Sequence, residues 1–329
     1  MQIHTQKTVL TSPSSATGVS TLLTVFASVF LTLCAQASLL IYEGFDGYTA
    51  GADIKSNSAV SSTTVGLTGK YNSSSVQVTV KDAGLTFSNL LVSGGSLTHS
   101  STTGTTIGVK LSGTTAYSGT LYSSYLVNFT SNVGNTPSSI VCIASSSDAS
   151  TTSRSLASAA DNGGSYSTIG VGYSGVGANA TNGSLTLSSG TYMILARYTH
   201  VGETLSESTP GVATLWVLSA DQFDHFKSTN FADIDSATTG LTATSVTGKV
   251  IETKTSGKSD LFTGNGTYLQ AILNGNSAAR AIDEIRFGTS FADVTPITGN
   301  IPEPATTTLI VTSLTLLAAI ASRRFIRMR

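Results

Sequence analysis

The chain has 329 residues, 17 Lys plus Arg and 18 Asp plus Glu, a net charge of −1, and only 11% charged residues. Ordinary soluble domains are about 25% charged, so hydroxyl side chains and 32 glycines replace much of the usual ionic surface. No basic block or stripe is present, and no nucleic-acid partner is expected.

The N-terminal segment reads as an address. Lys7 supplies a positive charge, residues 22–33 form an apolar run, and Ala35-Gln36-Ala37 is a small-x-small cleavage site. Residues 1–37 are therefore assigned to a signal peptide, removed by signal peptidase to leave Ser38. Cys34 follows Leu33 rather than a small residue, which disfavours a lipoprotein. With Cys34 gone, Cys142 is the one cysteine left and no intramolecular disulfide can form.

Residues 38–296 read as one all-β domain. Short runs rich in β-branched and aromatic residues recur between Gly, Asn, Ser and Asp. The predicted strands are 39–42, 76–80, 121–129, 139–144, 166–173, 191–198, 212–218, 268–273 and 281–287. Segments 191–198 and 212–218 are the expected central antiparallel pair. Cys142, inside the apolar run 139–144, reads as core filler. The single helical prediction is 219–226, with Ser219 or Asp221 as its cap and Phe223 and Phe226 facing inward. Many short strands with turn signals between them predict a sandwich or barrel. At roughly 260 residues the body is long enough to bury a core without staples. Between Lys7 and the four terminal arginines it keeps 12 of the 17 basic residues, and without Glu303 it keeps 17 of the 18 acidic ones, a net of −5.

Residues 297–304 read as a linker that ends in Pro302-Glu303-Pro304, where the prolines stop any helix from running backwards. Residues 305–321 carry no charge and reach about 25 Å as a helix, just short of a ~30 Å hydrocarbon core. The prediction is a transmembrane helix over 305–322. It is followed by a basic tail, 323–329, whose Arg323, Arg324, Arg327 and Arg329 act as a membrane stop. Arginines stay on the cytoplasmic side, which puts the body outside.

Chemical motifs are sparse. Gly170-Val171-Gly172-Tyr173-Ser174-Gly175 fits a dinucleotide fingerprint in letters, but no helix is expected after it. Gly257-Lys258-Ser259 resembles the end of a P-loop, yet Glu252 stands where the first glycine belongs. His99, His200 and His225 have no metal-type spacing. Asp221, Asp224, His225, Asp233 and Asp235 read as a solvated acidic segment. Trp216, between Leu215 and Val217, reads as core rather than as a sugar platform. Asn72, Asn128, Asn179, Asn182 and Asn265 each head an Asn-x-Ser/Thr triplet, a result expected from the composition alone. Glu43 and Asp46 near one end of the body, with Asp283, Glu284 and Arg286 near the other, read first as an ion-pair cluster fixing the closing strands. Asp283 and Glu284 are adjacent on a strand and are expected on opposite faces.

The order Pro-Glu-Pro, single span, arginine-rich end resembles the PEP-CTERM sorting signal of bacteria that make exopolysaccharide. The resemblance covers residues 301–329. It implies recognition by exosortase, a membrane transpeptidase-like enzyme, and cleavage near the motif. The body resembles a laminin-G-like, concanavalin-type jelly roll. The matching segments are 42–48 (YEGFDGY), 121–129 (LYSSYLVNF), 191–197 with 215–217, and 282–288 with 291–294. This implies an antiparallel jelly-roll β-sandwich whose first and last strands pair. It also raises calcium (Ca2+) binding by Glu43, Asp46, Asp283 and Glu284, since related jelly rolls hold calcium with such carboxylates. The Glu-x-Asp-x-x-Glu strand of jelly-roll glucanases is missing, so no catalytic residue is assigned. The expected function is that of an exported, non-enzymatic cell-surface or extracellular-matrix protein, adhesive or associated with exopolysaccharide. The alternatives are a calcium-assisted carbohydrate-binding module and, behind it, a glycan-active enzyme.

Overall fold

The computed structural model describes residues 38–73, 77–99, 105–112, 117–129, 139–144, 154–160, 167–173, 180–182, 188–258, 267–273 and 280–297. The signal-peptide features Lys7, Cys34, Ala35 and Ala37 lie outside these residues. So do Pro302-Glu303-Pro304, the span 305–322 and the four terminal arginines. Among the described residues, no helix is long and apolar enough to cross a membrane.

In chain order the strands are β1 (Leu39–Glu43), β2 (Leu67–Ser73), β3 (Thr79–Lys81), β4 (Ser96–His99), β5 (Thr105–Leu111) and β6 (Gly119–Phe129). Then come β7 (Ser139–Ala144), β8 (Arg154–Ala160), β9 (Ser167–Gly172), β10 (Ala180–Asn182), β11 (Gly190–Val201), β12 (Thr204–Leu205) and β13 (Gly211–Leu218). Helix α1 (Ala220–Ser228) precedes β14 (Gly248–Lys254), β15 (Gly257–Lys258), β16 (Tyr268–Leu273), β17 (Arg280–Gly288) and the short helix α2 (Phe291–Val294). The first sheet runs β14-β13-β11-β6-β17-β4-β3, with β1 also on β17. The second runs β10-β9-β8-β7-β16-β5-β2, and β12 pairs with β15 apart from both. Every pairing between these strands is antiparallel.

The expected central pair forms, from Met193 opposite Leu218 to Tyr198 opposite Ala213. The first and last strands pair as well, from Leu39 opposite Gly288 to Glu43 opposite Ile285.

Side-chain alternation explains the layering. On β11, Tyr192, Ile194, Ala196 and Tyr198 face one core, while Met193 and Leu195 face another. The first set meets Val141 and Ile143 of β7 and Leu269 and Ala271 of β16, so the two sheets close as a β-sandwich. The second set meets Trp216, Leu218, Phe223, Phe226, Phe231 and Phe87 on the outer face of the first sheet. Strands β11 and β13 are therefore buried on both sides, which is why they read as nearly unbroken apolar runs.

Helix α1 covers this outer core. Ser219 is its cap: the hydroxyl accepts from Gln222 N at 3.5 Å, while Gln222 Oε1 accepts from Ser219 N at 3.0 Å, a reciprocal capping box. Phe223 and Phe226 are buried against the sheet as expected. Trp216 is also buried, with the Arg197 guanidinium 5.4 Å above its ring. Cys142 is a buried free thiol.

Candidate functional site

The carboxylates singled out by the sequence meet where β17 changes partner. One edge of β17 follows β6 throughout. Its other edge pairs with β4 at residues 280–282 and with β1 at residues 285–288. Asp283 and Glu284 fall in the gap between those two neighbours. The loop joining β3 to β4, residues 82–95, fills that gap as a strap over the outer core.

Three side chains of β17 grip the main chain of this strap. Asp283 Oδ2 accepts from Leu85 N at 2.7 Å. Glu284 Oε1 accepts from Ser93 N at 2.5 Å. Arg286 Nη2 donates to Leu91 O at 2.6 Å and to Glu284 Oε2. These contacts replace the ladder bonds that a missing strand would have made. The strap continues the grip elsewhere: Leu91 N donates to Pro296 O at 2.8 Å, and the Ser88 hydroxyl donates to Asp224 on α1.

The opposite-face expectation for Asp283 and Glu284 is corrected here. Asp283 faces Leu126 and Arg286 faces Ser124 on β6, so Glu284 and Ile285 together oppose Tyr125 alone. This is a β-bulge, and Glu284 takes φ 55°, the left-handed region. A non-glycine residue held there costs about 1–3 kcal/mol. In return the bulge turns both carboxylates toward the strap, and both are fully buried.

Glu43 extends the seam from β1. Its Oε1 accepts from Phe45 N at 2.8 Å, and its Oε2 accepts from Tyr48 at 2.9 Å and Tyr71 at 2.6 Å. Tyr42, its neighbour, lies under the Arg286 guanidinium at 4.9 Å from the ring centroid and shares a 2.5 Å hydrogen bond with Ser93. Gly44 is needed at this spot, because a methyl there would overlap the Tyr42 hydroxyl. Asp46 stands apart from the three carboxyls in burial. It is partly exposed, and its backbone packs against Gly94 of the strap.

Burial dominates the electrostatics. It pushes the Glu43 carboxyl up to about 7 against the pull of its three donors. It pushes Asp283 up to about 9, with the neighbouring Glu284 charge adding to the rise. Glu284 is also raised by burial, with Arg286 opposing. Tyr71, enclosed beside Glu43, is raised far above its usual range.

The seam fits the ion-pair reading: Glu284 and Arg286 form a buried bridge. Among the described residues, no group of three or more His, Cys, Asp or Glu side chains is arranged to hold a metal ion. The oxygens of Glu43, Asp283 and Glu284 are engaged with protein donors and sealed from solvent, and those of Asp283 and Glu284 hold the backbone of the strap. The tyrosines that complete it, Tyr42, Tyr48 and Tyr71, were not singled out by the sequence. Only the Tyr42-Glu43 and Gly47-Tyr48 contexts mark two of them.

The acidic segment, read from the sequence as a solvated loop, instead spans helix α1 and the turns after it. Asp221 and Asp224 lie on α1, and Asp235 makes a bidentate bridge to Arg197 at 2.7 and 2.8 Å. His200 pairs with Glu203 at 2.9 Å on the surface, and His225 packs on the Phe226 ring. Gly170 and Gly172 lie in strand β9 and Gly257 and Lys258 in β15, so neither opens a helix.

No protein-family model and no curated protein matches the chain. Solved structures align with it at low identity. A conserved carbohydrate esterase from the Shiga toxin-encoding bacteriophage phi24B aligns over 78% of this chain and 100% of its own, with 8% identity and a TM-score of 0.42. The carbohydrate recognition domain of Emp47p aligns over 78% and 98%, with 10% identity and a TM-score of 0.38. Domain 4 of AbnA, an extracellular arabinanase from Geobacillus stearothermophilus, aligns over 78% and 94%, with 11% identity and a TM-score of 0.35. At these scores the alignments assign no ligand and no activity.

Proposed function

We propose that the chain is an exported, exosortase-sorted bacterial cell-surface or extracellular-matrix protein with a non-enzymatic role. Its jelly-roll body would stand outside the membrane, in contact with exopolysaccharide. The observation that carries this reading is the C-terminal order of Pro302-Glu303-Pro304, an uncharged run and four arginines. The chain path supports the jelly roll: it crosses between the sheets from β1 to β2 and β3, from β4 to β5, β6 and β7, from β10 to β11, from β14 to β16 and from β16 to β17. The non-enzymatic role is supported by the sealed state of Glu43, Asp283 and Glu284.

The test is mass spectrometry of the mature C-terminus from fractionated cells. Loss of the residues after Pro304 supports sorting; an intact Arg329 in the membrane fraction overturns it and leaves a plain anchor. A glycan array with and without EDTA addresses the body. Saturable sugar binding that EDTA abolishes would replace the matrix reading with a calcium-assisted carbohydrate-binding module.

A further inference from the structure

The closure seam contains more acid than its cation can balance. Glu43, Asp283 and Glu284 are each 0% exposed, and Arg286, at 2%, pairs with Glu284. The neighbouring elements contribute hydroxyls and main-chain groups. Strand β1 adds Tyr42, the turn after it adds Tyr48, and β2 adds Tyr71. The strap adds the Ser93 hydroxyl and the main chain of Leu85, Leu91 and Ser93. Strand β6 adds Ser124, which donates to Val294 O at 2.6 Å. Among the described residues, no second lysine, arginine or histidine forms an ion pair with any of the three carboxyls.

Fully ionised, the seam would hold three negative charges against one positive, all out of water. Buried carboxylates in that position relieve the cost by keeping a proton. The three are also linked: Glu284 raises the charge cost at both Glu43 and Asp283, so their protons come off as a set.

We propose that this seam keeps a carboxyl proton at neutral pH and acts as a clasp that loosens when alkali removes it. Ionisation sets Glu284 against its two acidic neighbours. Repulsion then acts on the joins that these residues make, β1 to β17 on one side and the strap to β17 on the other. The sign follows from the raised values of about 7 for Glu43 and about 9 for Asp283. The unfolded chain releases these protons near 4, so the stabilisation is complete below that point and is lost as pH rises through 7 to 9.

The experiment is infrared spectroscopy of the full chain carrying carboxyl-labelled aspartate or glutamate, paired with stability against pH. The expected result is a protonated-carboxyl C=O band at about pH 7 that shifts with at least one label and disappears by about pH 10. The folding equilibrium constant should fall by up to about tenfold per pH unit for each proton released, from about pH 5 until the band has gone, and level off above that. Glu252, the other described carboxyl that burial raises, is controlled by Glu252→Gln, which should keep the band. The combination Glu43→Gln with Asp283→Asn should remove the band and flatten the pH profile. Absence of the band in the wild-type protein at about pH 7, or a stability that stays flat to about pH 9, overturns the proposal even if the double variant does not fold.

Discussion

Arg286→Met is the most informative single change, because it removes the cation and leaves its partners in place. Arg286 Nη2 serves Glu284 and the Leu91 carbonyl, and the guanidinium also lies over Tyr42. Removing one partner of a buried ion pair typically costs about 3–5 kcal/mol, because the other charge is left uncompensated. Loss of the cation–π contact adds about 0.5–2 kcal/mol. Methionine refills the aliphatic volume and returns part of this, so about 3–4 kcal/mol is expected at about pH 8. Urea unfolding reports it directly, since Trp216 is the chain's single tryptophan and is fully buried. Without Arg286, the Glu284 carboxyl is raised further, so the penalty is small below its unfolded pKa and grows as pH rises through the folded one. At about pH 5 the cost should therefore be smaller than at about pH 8. Adding Glu284→Gln should recover about 1–2 kcal/mol, a coupling typical of contacting residues. A loss under about 1 kcal/mol at about pH 8, or one unchanged at about pH 5, would refute the idea that this pair carries the strap.

Four further outcomes are expected. Phe223→Ala, which opens the outer core beneath α1, should cost about 3–5 kcal/mol in the same unfolding assay. Ser219→Ala breaks the capping box and should cost about 1 kcal/mol, with helix signal lost before sheet signal. Gly94→Ala places a methyl against Asp46 at φ 67°; it should cost more than about 1 kcal/mol and speed amide exchange at Leu85 and Ser93. Asp235→Ala removes an ion pair whose acid is 57% exposed, and a loss above about 1 kcal/mol would contradict its reading as a surface contact.

Legibility followed apolar density more than burial itself. Strands β6, β11, β13 and β16 lie inside their sheets, and their dense apolar runs were readable with nearly correct ends. Strand β2 (LTGKYNS) was not, because only Leu67 and Tyr71 are buried and a glycine interrupts it at a sheet edge. Strand β14, also unpredicted, closes the edge of the first sheet and exposes Ile251. Strands β4, β5, β8, β10, β12 and β15 were unpredicted too; β5 (TTIGVKL) is buried at six of its seven positions, but two threonines and a glycine dilute its apolar signal. At the seam, the acidic residues were visible as types, and their meeting followed from pairing the first strand with the last. Their orientation was not visible. Bulges with a left-handed residue are usually marked by glycine, and here the position is Glu284. The strap was equally hidden, since it is held by main-chain groups that carry no side-chain signature.

The route by which the chain leaves the body has a mechanical meaning. Ile297 bridges Leu90, Pro296 takes the Leu91 amide, and Thr295 takes the Lys227 ammonium at 2.7 Å. Traction applied beyond residue 297 would thus reach the strap and helix α1 before it reached β17. The load would spread over the strap and α1, which have separate attachments, and the strap would pass it to the N-terminal strand through Ser93 and Tyr42. A tethered body built this way would yield first at residues 295–297 and the outer core that the strap and α1 close, while the core between the two sheets stayed shut.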